Sequence, residues 1–250
     1  MLKLGLNHVE VPHSPRLAAL LGDPALRPPE ACDWTQFIGA WGDALGNDAH
    51  GNCVPCGAIR AVQMMRAKTG GDIRQPTTDE ALALYRAWAG WNGTDATDTG
   101  TSSPQAALQW ASYGVPWGDA WVDLPSVLPL DFRAPGRLET AANFLGPAQL
   151  DLSIPSRWVS DIDTWDIALG DVSAGGHRVC LGGYDASWLY VVSWGLRKRL
   201  SRAALAQWGL AAWASVSRSW VDTMGATPAG LDYDALAEEG KALASGAMIG

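Results

Sequence analysis

The clearest pattern of apolar and polar positions begins shortly after residue 50. From Pro55 onward, apolar side chains recur at Ala58, Ala61, Val62 and Met65, in steps of three and four residues. This spacing predicts an α-helix with one buried face, which ends at the Thr-Gly-Gly that follows.

Four more segments predict helices. The first is "TTDEALALYRAWAG", for which Thr78 or Asp79 is the expected N-cap, and the second is "QAALQWASYG". The third, "LETAANFLG", predicts a short helix. Near the carboxyl terminus, "TPAGLDYDALAEEGKALA" predicts a closing helix capped by Asp232. The amino-terminal half is therefore expected to be mainly helical.

Beyond a proline-rich link at 125–136, the period changes from that of helices to that of strands. Apolar residues at 150, 152 and 154 alternate with Asp151 and Ser153, which predicts a half-buried strand. Three further segments predict strands: "HRVCLGGYD", "SWLYVVSWG" and "WASVSRSWV". Helices followed by strands indicate an α+β fold with a cleft between the two halves.

Residues 1–30 are rich in proline and turn-forming residues and show no long periodicity. This predicts an extended amino-terminal arm over a single domain formed by residues 31–250. From its position, such an arm could cover the cleft.

Composition excludes several classes of function. The net charge of −8 argues against binding nucleic acid through a basic surface. No segment approaches 18 consecutive apolar residues, and the first twenty residues do not resemble a signal peptide, so we expect no membrane association and a location in the cytoplasm of the producing cell. Four cysteines in 250 residues favour reduced thiols over a disulfide scaffold.

The candidate chemistry lies in "GNDAHGNCVPCGAIRAV". Pro55 favours the first turn of a helix, which places Cys53 at or just before the cap and Cys56 inside the first turn. Free N–H groups and the positive end of the helix dipole meet at that point, and both favour thiolate over thiol. We therefore expect Cys53 to be the more exposed thiol and a nucleophile.

Two other interpretations of this pair remain open. Cys-x-Pro-Cys before a helix has the spacing of a thioredoxin-type redox motif, although no apolar strand precedes it here. His50 with the two cysteines could supply three zinc ligands, but a structural zinc site needs four. The nucleophile hypothesis needs a distant histidine as base, and His177, which follows two glycines and is expected to begin a strand, suits that role. No cofactor or metal is expected on this hypothesis.

The order of several short motifs resembles the papain-like cysteine peptidases. "CDWTQ" supplies an Asp-Trp near the start, and "NDAHGNC" places Asn47 six residues and Gly51 two residues before Cys53. "HRVCLGGYD" keeps a Gly-Tyr at the family's distance from His177, and "VVSWG" keeps Ser-Trp-Gly. "TDTGTSSPQAALQWASYGVP" and "TPAGLDYDAL" are similar to a divergent branch associated with bacteriophages and prophages. The likeness spans roughly residues 30 to 245.

The resemblance implies a papain-like α+β fold whose helical half packs against a mainly antiparallel sheet or barrel. It implies Cys53 as nucleophile, His177 as base and Asn47, with the Cys53 N–H, as oxyanion hole. Where the family has the asparagine that orients the histidine, this chain has Val192 or, counted from the histidine, Ser193.

A rival register lays "CVPCGAIRAV" on the family motif with Cys56 as nucleophile and His50 in the glutamine's place. We prefer Cys53, since that register keeps an amide side chain six residues upstream.

Two functions from different classes follow from the resemblance. One is a phage- or prophage-type peptidase or amidase that acts on a peptide or protein substrate through a thioester. The other is a structural component of a virus particle, in contact with other virion proteins, that kept the fold after its site decayed. Loss of the orienting asparagine favours the second function, and the retention of cysteine, histidine and amide together favours the first.

Overall fold

A computed structural model describes residues 2–122, 125–160, 162–224 and 231–249, with only the backbone described for Met224 and Ile249. Among these residues, none of the helices has both the length and the apolar character that a bilayer crossing requires.

Eight α-helices occur in the described residues. They are α1 (Pro15–Leu21), α2 (Cys53–Thr69), α3 (Thr78–Ala89), α4 (Ser103–Tyr113), α5 (Arg137–Phe144), α6 (Arg202–Trp208), α7 (Arg218–Met224) and α8 (Tyr233–Ile249). The predicted helix after residue 50 is α2, and it ends where Gly70 adopts the left-handed conformation that favours glycine. The N-cap of α3 is Thr77 rather than the expected Thr78 or Asp79, because Thr77 and Glu80 form a reciprocal capping box.

Twelve β-strands lie in the same residues, several of them only two or three residues long. They are β1 (Leu6–Asn7), β2 (Cys32–Asp33), β3 (Thr101–Ser102), β4 (Val115–Trp117), β5 (Ala120–Val122), β6 (Ser126–Leu130), β7 (Ala148–Pro155), β8 (Thr164–Trp165), β9 (Ser173–Tyr184), β10 (Trp188–Ser193), β11 (Leu196–Ser201) and β12 (Gly209–Val216).

One large sheet dominates the carboxyl-terminal half. Its strand order is β6-β12-β7-β9-β10-β11-β8, with β2 added beside β9. All neighbours are antiparallel except β11 and β8. The expected α+β architecture is thus observed, with a helical first half and a mostly antiparallel second half.

The large sheet lies between two hydrophobic cores, and residues 53–65 of α2 are all buried in one of them or against the sheet. One core joins α2 to α3 and α4, and the other lies on the far side of the sheet under α1, α5 and α6. Because α2 covers one face of the sheet and those helices cover the other, β7 is buried on both faces. The expectation of a half-buried strand there is wrong, since its polar Asp151 is also buried.

Two other local expectations need correction. "WASVSRSWV" is a strand only as far as Val216, after which Arg218 begins α7. His177 does not begin a strand, because β9 starts at Ser173 and pairs with β7 before reaching it. Two elements were not predicted at all: the proline-rich link contains β6, and residues 1–30 contain the short helix α1.

Candidate active site

Cys53 is the first residue of α2, and its thiol is buried. Only 1% of the residue is exposed. Backbone N–H groups of Arg178 and Gly5 donate hydrogen bonds to the sulfur. Burial raises the pKa of the Cys53 thiol to about 11, against the lowering effect of these donors and of the Arg178 charge. The sulfur is therefore a neutral thiol in this arrangement, but it is surrounded by donors that would stabilise its anion.

Cys56, one turn further along α2, has the opposite surroundings. Its Sγ lies 3.6 Å from the carbonyl oxygen of Leu45 and 3.9 Å from that of Ala44. Carbonyl oxygens accept from a thiol and repel a thiolate, and burial also raises the pKa of Cys56. The expectation that Cys53 is the more exposed cysteine is wrong, because Cys56 is 8% exposed.

His177 lies within β9, and its ring is fixed from two directions. Nε2 lies 2.7 Å from Oγ of Ser193, and the ring stacks on Trp194 with 4.3 Å between centroids. Nδ1 is buried and has no hydrogen-bond partner among the described residues. Complete burial lowers the pKa of His177 to about 3, with a smaller contribution from the Lys198 charge. The imidazole is therefore neutral, and one of its two nitrogens is uncommitted.

Ser193 and Trp194 are presented by a tight turn between β10 and β11. Trp194 and Gly195 both have positive φ, of 49° and 70°, and Ser193 pairs with Leu196. Two such residues match the right-handed twist of a hairpin. A side chain at position 195 would collide with the carbonyl oxygen of Asp43 at 2.5 Å, so the turn packs closely on the loop that precedes α2.

Asn47 lies in that same loop, and its side chain is buried. Its Nδ2 donates to the carbonyl oxygen of His50 at 3.1 Å. Two residues before it, Leu45 has a φ of 56°, and Leu45 and Trp194 are the two non-glycine residues with positive φ in the described part of the chain. Unfavourable backbone conformations of this kind cluster at functional sites.

Three of the four predicted site residues line one cavity, and the fourth, His177, contacts that lining through Ser193. Asn47, Cys53, Ser193 and Trp194 line one cavity of about 10 Å³, and His177 contacts the last two of these residues. The cavity is far smaller than a ligand pocket of roughly 300 Å³ or more. Val192, the other residue considered for the orienting position, also lines the cavity but has no polar side-chain atom to offer.

Residues 3–7 cover this site, and we call them the covering segment. The Gly5 N–H contacts Cys53, and its carbonyl oxygen accepts from the N–H of Thr101 at 2.8 Å. The next two residues form β1, which pairs in parallel with β3. Nothing in the sequence pattern indicated which residues of the predicted arm would lie over Cys53.

A buried ion pair beneath the site was also missed by the sequence analysis. Arg178 Nε and Nη2 donate to the two carboxylate oxygens of Asp151 at 2.7 and 3.0 Å, and both side chains are almost fully buried. Ser103 and Trp213 donate to the same carboxylate. The sequence did contain a signal for this ion pair, because Asp151 and Arg178 each interrupt an otherwise apolar strand pattern with a charge of opposite sign.

The described residues also bear on the zinc interpretation. No group of three or more His, Cys, Asp or Glu side chains in the described ranges is arranged to hold a metal ion. His50 instead lies 3.6 Å from the Asp98 carboxylate and packs against Trp91.

Comparison with known proteins gives two results. No protein-family model matches the sequence, and no curated protein matches it. Solved structures do match. Xylellain, a cysteine protease from Xylella fastidiosa, aligns with a TM-score of 0.57 over 86% of this chain and 96% of its own, at 15% identity.

Two protease precursors give similar values. Procathepsin L 3 from the larval midgut of Tenebrio molitor has a TM-score of 0.57 at 15% identity, over 76% of this chain and 70% of its own. Procathepsin B S9 from Trypanosoma congolense has a TM-score of 0.56 at 12% identity, over 84% of each chain. At these identities the likeness concerns the fold, and the chain has the mixed α+β fold of the papain-like cysteine proteases.

Proposed function

We propose that this chain is a papain-like cysteine peptidase or amidase that cleaves an amide bond through a thioester on Cys53. His177 takes the thiol proton, the sulfur attacks the carbonyl carbon, and the amine leaves with that proton. Water then hydrolyses the thioester. The observation that carries the proposal is the state of His177, whose Nε2 is committed to Ser193 while Nδ1 remains without a partner.

Ser193 takes the orienting role in this proposal. Nε2 lies 2.7 Å from its Oγ, and we assign Nε2–H as the donor, because this tautomer leaves the lone pair of the neutral ring on Nδ1, the atom that must act as base. Trp194 covers the ring face and keeps water away from this hydrogen bond. In this proposal the Ser193 hydroxyl has the orienting role that an asparagine amide has in the papain-like cysteine peptidases.

Position supports His177 as the base for Cys53. The residue that follows His177 in β9 is Arg178, whose backbone N–H contacts the Cys53 sulfur. Asn47 lines the same cavity, and its side-chain amide has a second hydrogen beyond the one that reaches His50. That N–H and the Cys53 backbone N–H are the donors that we assign to the developing oxyanion.

The contrast between the two thiols supports Cys53 as nucleophile. N–H donors surround its sulfur and would stabilise a thiolate, whereas carbonyl oxygens surround Cys56. The redox alternative has less support, because no strand leads into α2 from residues 38–52.

The second candidate function is a structural component of a phage particle that retains the fold without activity. The observation that favours it is that both reactive groups are buried and neutral, with pKa values of about 11 for Cys53 and about 3 for His177. Its partners would be other virion proteins, and it would leave the cytoplasm of the producing cell within the particle. The resemblance to phage-associated sequences is compatible with both candidate functions.

Hydrolysis measurements separate these candidates. The full chain and a Gly5→Ala variant, which is designed to free the site, are incubated with a mixed fluorogenic peptide library. We expect hydrolysis that disappears in Cys53→Ser and His177→Gln and survives in Cys32→Ser, the control at a cysteine outside the site. Ser193→Ala should lower kcat and change its pH profile, because the ring then loses its fixed tautomer.

Three outcomes contradict the proposal. Hydrolysis that depends on Cys56 and not on Cys53 would reverse the assignment. Absence of hydrolysis in both the full chain and the freed variant would favour the structural component. A reversible Cys53–Cys56 disulfide, found by counting thiols after mild oxidation, would support the redox alternative.

A further inference from the structure

The covering segment binds the site in the manner of an extended peptide ligand. Gly5 donates its N–H to the Cys53 sulfur and accepts from the Thr101 N–H at 2.8 Å. Leu6 and Asn7 continue as a strand beside β3. The main chain of the segment is therefore held on both sides, and its position along the cleft is fixed.

The walls around Gly5 are made of glycine backbone and leave no room for a side chain at that position. A Cβ on Gly5 would overlap the carbonyl group of Gly51, which stands two residues before Cys53. In the opposite direction, a Cβ on Gly100 would overlap the carbonyl group of Gly5, and one on Gly176 would lie 2.5 Å from the carbonyl oxygen of Leu6. Gly5 therefore packs directly against the backbone of glycine residues, and a residue with a Cβ does not fit at position 5.

The positions on either side of Gly5 do accept side chains. Leu6 is buried in the core that contains Cys53. Leu4 packs over Gly175, whose own Cβ would lie 3.1 Å from the Leu4 methyl group. The cleft therefore takes an apolar residue on each side of the glycine.

Two residues before Gly5, Lys3 meets a carboxylate that is already held in place. Its Nζ lies 2.6 Å from Asp98 Oδ2, and the Asp98 side chain is 1% exposed. The other oxygen of Asp98 accepts from the N–H of Gly51 and from the Tyr85 hydroxyl, each at 2.8 Å. Because these donors hold the carboxylate independently of Lys3, it is a ready acceptor for a basic side chain.

We propose that the cleft over Cys53 is a glycine-selective site for extended peptides of the pattern basic–apolar–Gly–apolar, and that residues 3–6 of this chain are its resident occupant. The inference rests on the proposed function, since it names the class of peptide that the same cleft takes. In the resident segment the N–H of Gly5 is directed at the sulfur. The segment thus occupies the position over the thiol, and another peptide of this pattern must displace it.

Alkylation of the thiol tests the proposal without requiring catalysis. Cys53 in the full chain and in the Gly5→Ala variant is labelled with iodoacetamide, and the label is located by mass spectrometry. We expect labelling at least about tenfold faster in the variant, a change that corresponds to the loss of about 1.4 kcal/mol of binding by the segment. Gly39→Ala is the matched control, because a Cβ there meets nothing within 4 Å.

The ligand class is tested by adding peptides to the Gly5→Ala variant. A synthetic LKLGLNH peptide should restore protection of Cys53, and the same peptide with alanine in place of glycine should not. A peptide with norleucine in place of lysine should need a severalfold higher concentration, because it lacks the partner of Asp98. Lys3→Met in the full chain is a second variant that adds no bulk, and it should accelerate labelling to a smaller extent.

Equal protection by the glycine and alanine peptides would overturn the selectivity. Unchanged labelling in both Gly5→Ala and Lys3→Met would show that the segment is not held as proposed. These outcomes do not depend on hydrolysis. Protection of Cys53 without any hydrolysis would contradict the proposed function and support the peptide site. Hydrolysis without glycine selectivity would support the proposed function and contradict the peptide site.

Discussion

At the scale of single residues, the site holds two groups that are both uncharged when the chain is folded. Burial stabilises the neutral thiol of Cys53 and the neutral ring of His177, raising one pKa and lowering the other. Formation of a thiolate–imidazolium pair requires the pKa of Cys53 to fall and the pKa of His177 to rise. On the proposal made above, displacement of the covering segment would readmit water to the Cys53 sulfur and so reduce the effect of burial on its pKa.

The lowered pKa of His177 predicts sensitivity to acid. The folded-state pKa is about 3 and the ordinary value is 6.5, so as pH falls the unfolded chain binds a proton first. The contribution of the neutral ring to stability is therefore fully present above pH 6.5 and is lost progressively between pH 6.5 and 3. The loss should be on the order of a few kcal/mol.

Urea denaturation at a series of pH values measures this effect. The free energy of unfolding of the native chain should fall more steeply below pH 6.5 than that of His177→Gln, which has no titrating ring. His13→Asn, at an exposed histidine, is the control and should keep the native pH dependence. Parallel curves for the native chain and His177→Gln would contradict the assigned shift.

At the scale of elements, the turn between β10 and β11 positions both partners of the histidine ring. Its two residues adopt positive φ, and Gly195 touches the loop that carries Asn47. Ser193 ends β10, one residue beyond the last pair of β10 with β9, Val192 with Cys180, and its Oγ lies 2.7 Å from Nε2 of His177. The turn therefore joins the sheet to the loop before α2.

Substitution of Gly195 should separate backbone strain from collision. Gly195→Ala places an L-residue at a φ of 70° and also drives Cβ toward the Asp43 carbonyl oxygen, 2.5 Å away. Gly170→Ala has a similar φ of 83° but meets nothing within 4 Å. We expect the control to lose about 1–2 kcal/mol of stability from the backbone conformation, and Gly195→Ala to lose clearly more.

Thermal and urea unfolding report both variants. Gly195→Ala should additionally weaken the packing of Trp194 on His177, which near-ultraviolet circular dichroism detects. Equal stability losses in the two variants would show that the turn does not press on the loop.

The same scale shows what the sequence could and could not predict. Helix α2 and strands β9 and β10 follow from periodicity and turn residues, and the order of motifs placed Cys53, His177 and Ser193 on them. The local sequence pattern gave incomplete or wrong predictions where tertiary contacts determine burial and strand formation. Burial of β7 on both faces depends on α2 lying over the sheet, and the strand at 126–130 forms because β12 pairs with it.

At the scale of the whole molecule, the site depends on segments far apart in the chain. The covering segment meets Cys53 across nearly fifty residues, and no local signal in the first thirty residues marks Gly5 as the residue that fits. Its fit depends on three glycines from separate parts of the fold. Such a match becomes visible only when the tertiary structure is known.

The buried pair of Arg178 and Asp151 is a second long-range connection. It links β9 to β7, and donors from α4 and β12 complete the carboxylate's hydrogen bonds. Because the guanidinium belongs to the residue whose backbone N–H contacts Cys53, the pair also fixes the strand position at the thiol.

A double-mutant cycle on this pair tests how strongly β9 and β7 are coupled through the buried charges. Arg178→Ala and Asp151→Ala should each cost about 3–5 kcal/mol in the free energy of unfolding, because each leaves a buried charge without its partner. The double variant should cost less than the sum of the two by about 1–3 kcal/mol. Lys241 and Glu238, an exposed pair on α8, provide the matched control cycle, with a coupling energy of about 0.5 kcal/mol or less. Additive losses of stability at Arg178 and Asp151 would contradict the assigned ion pair. Strong coupling, together with faster alkylation of Cys53 in either single variant, would show that this buried ion pair helps to position the thiol.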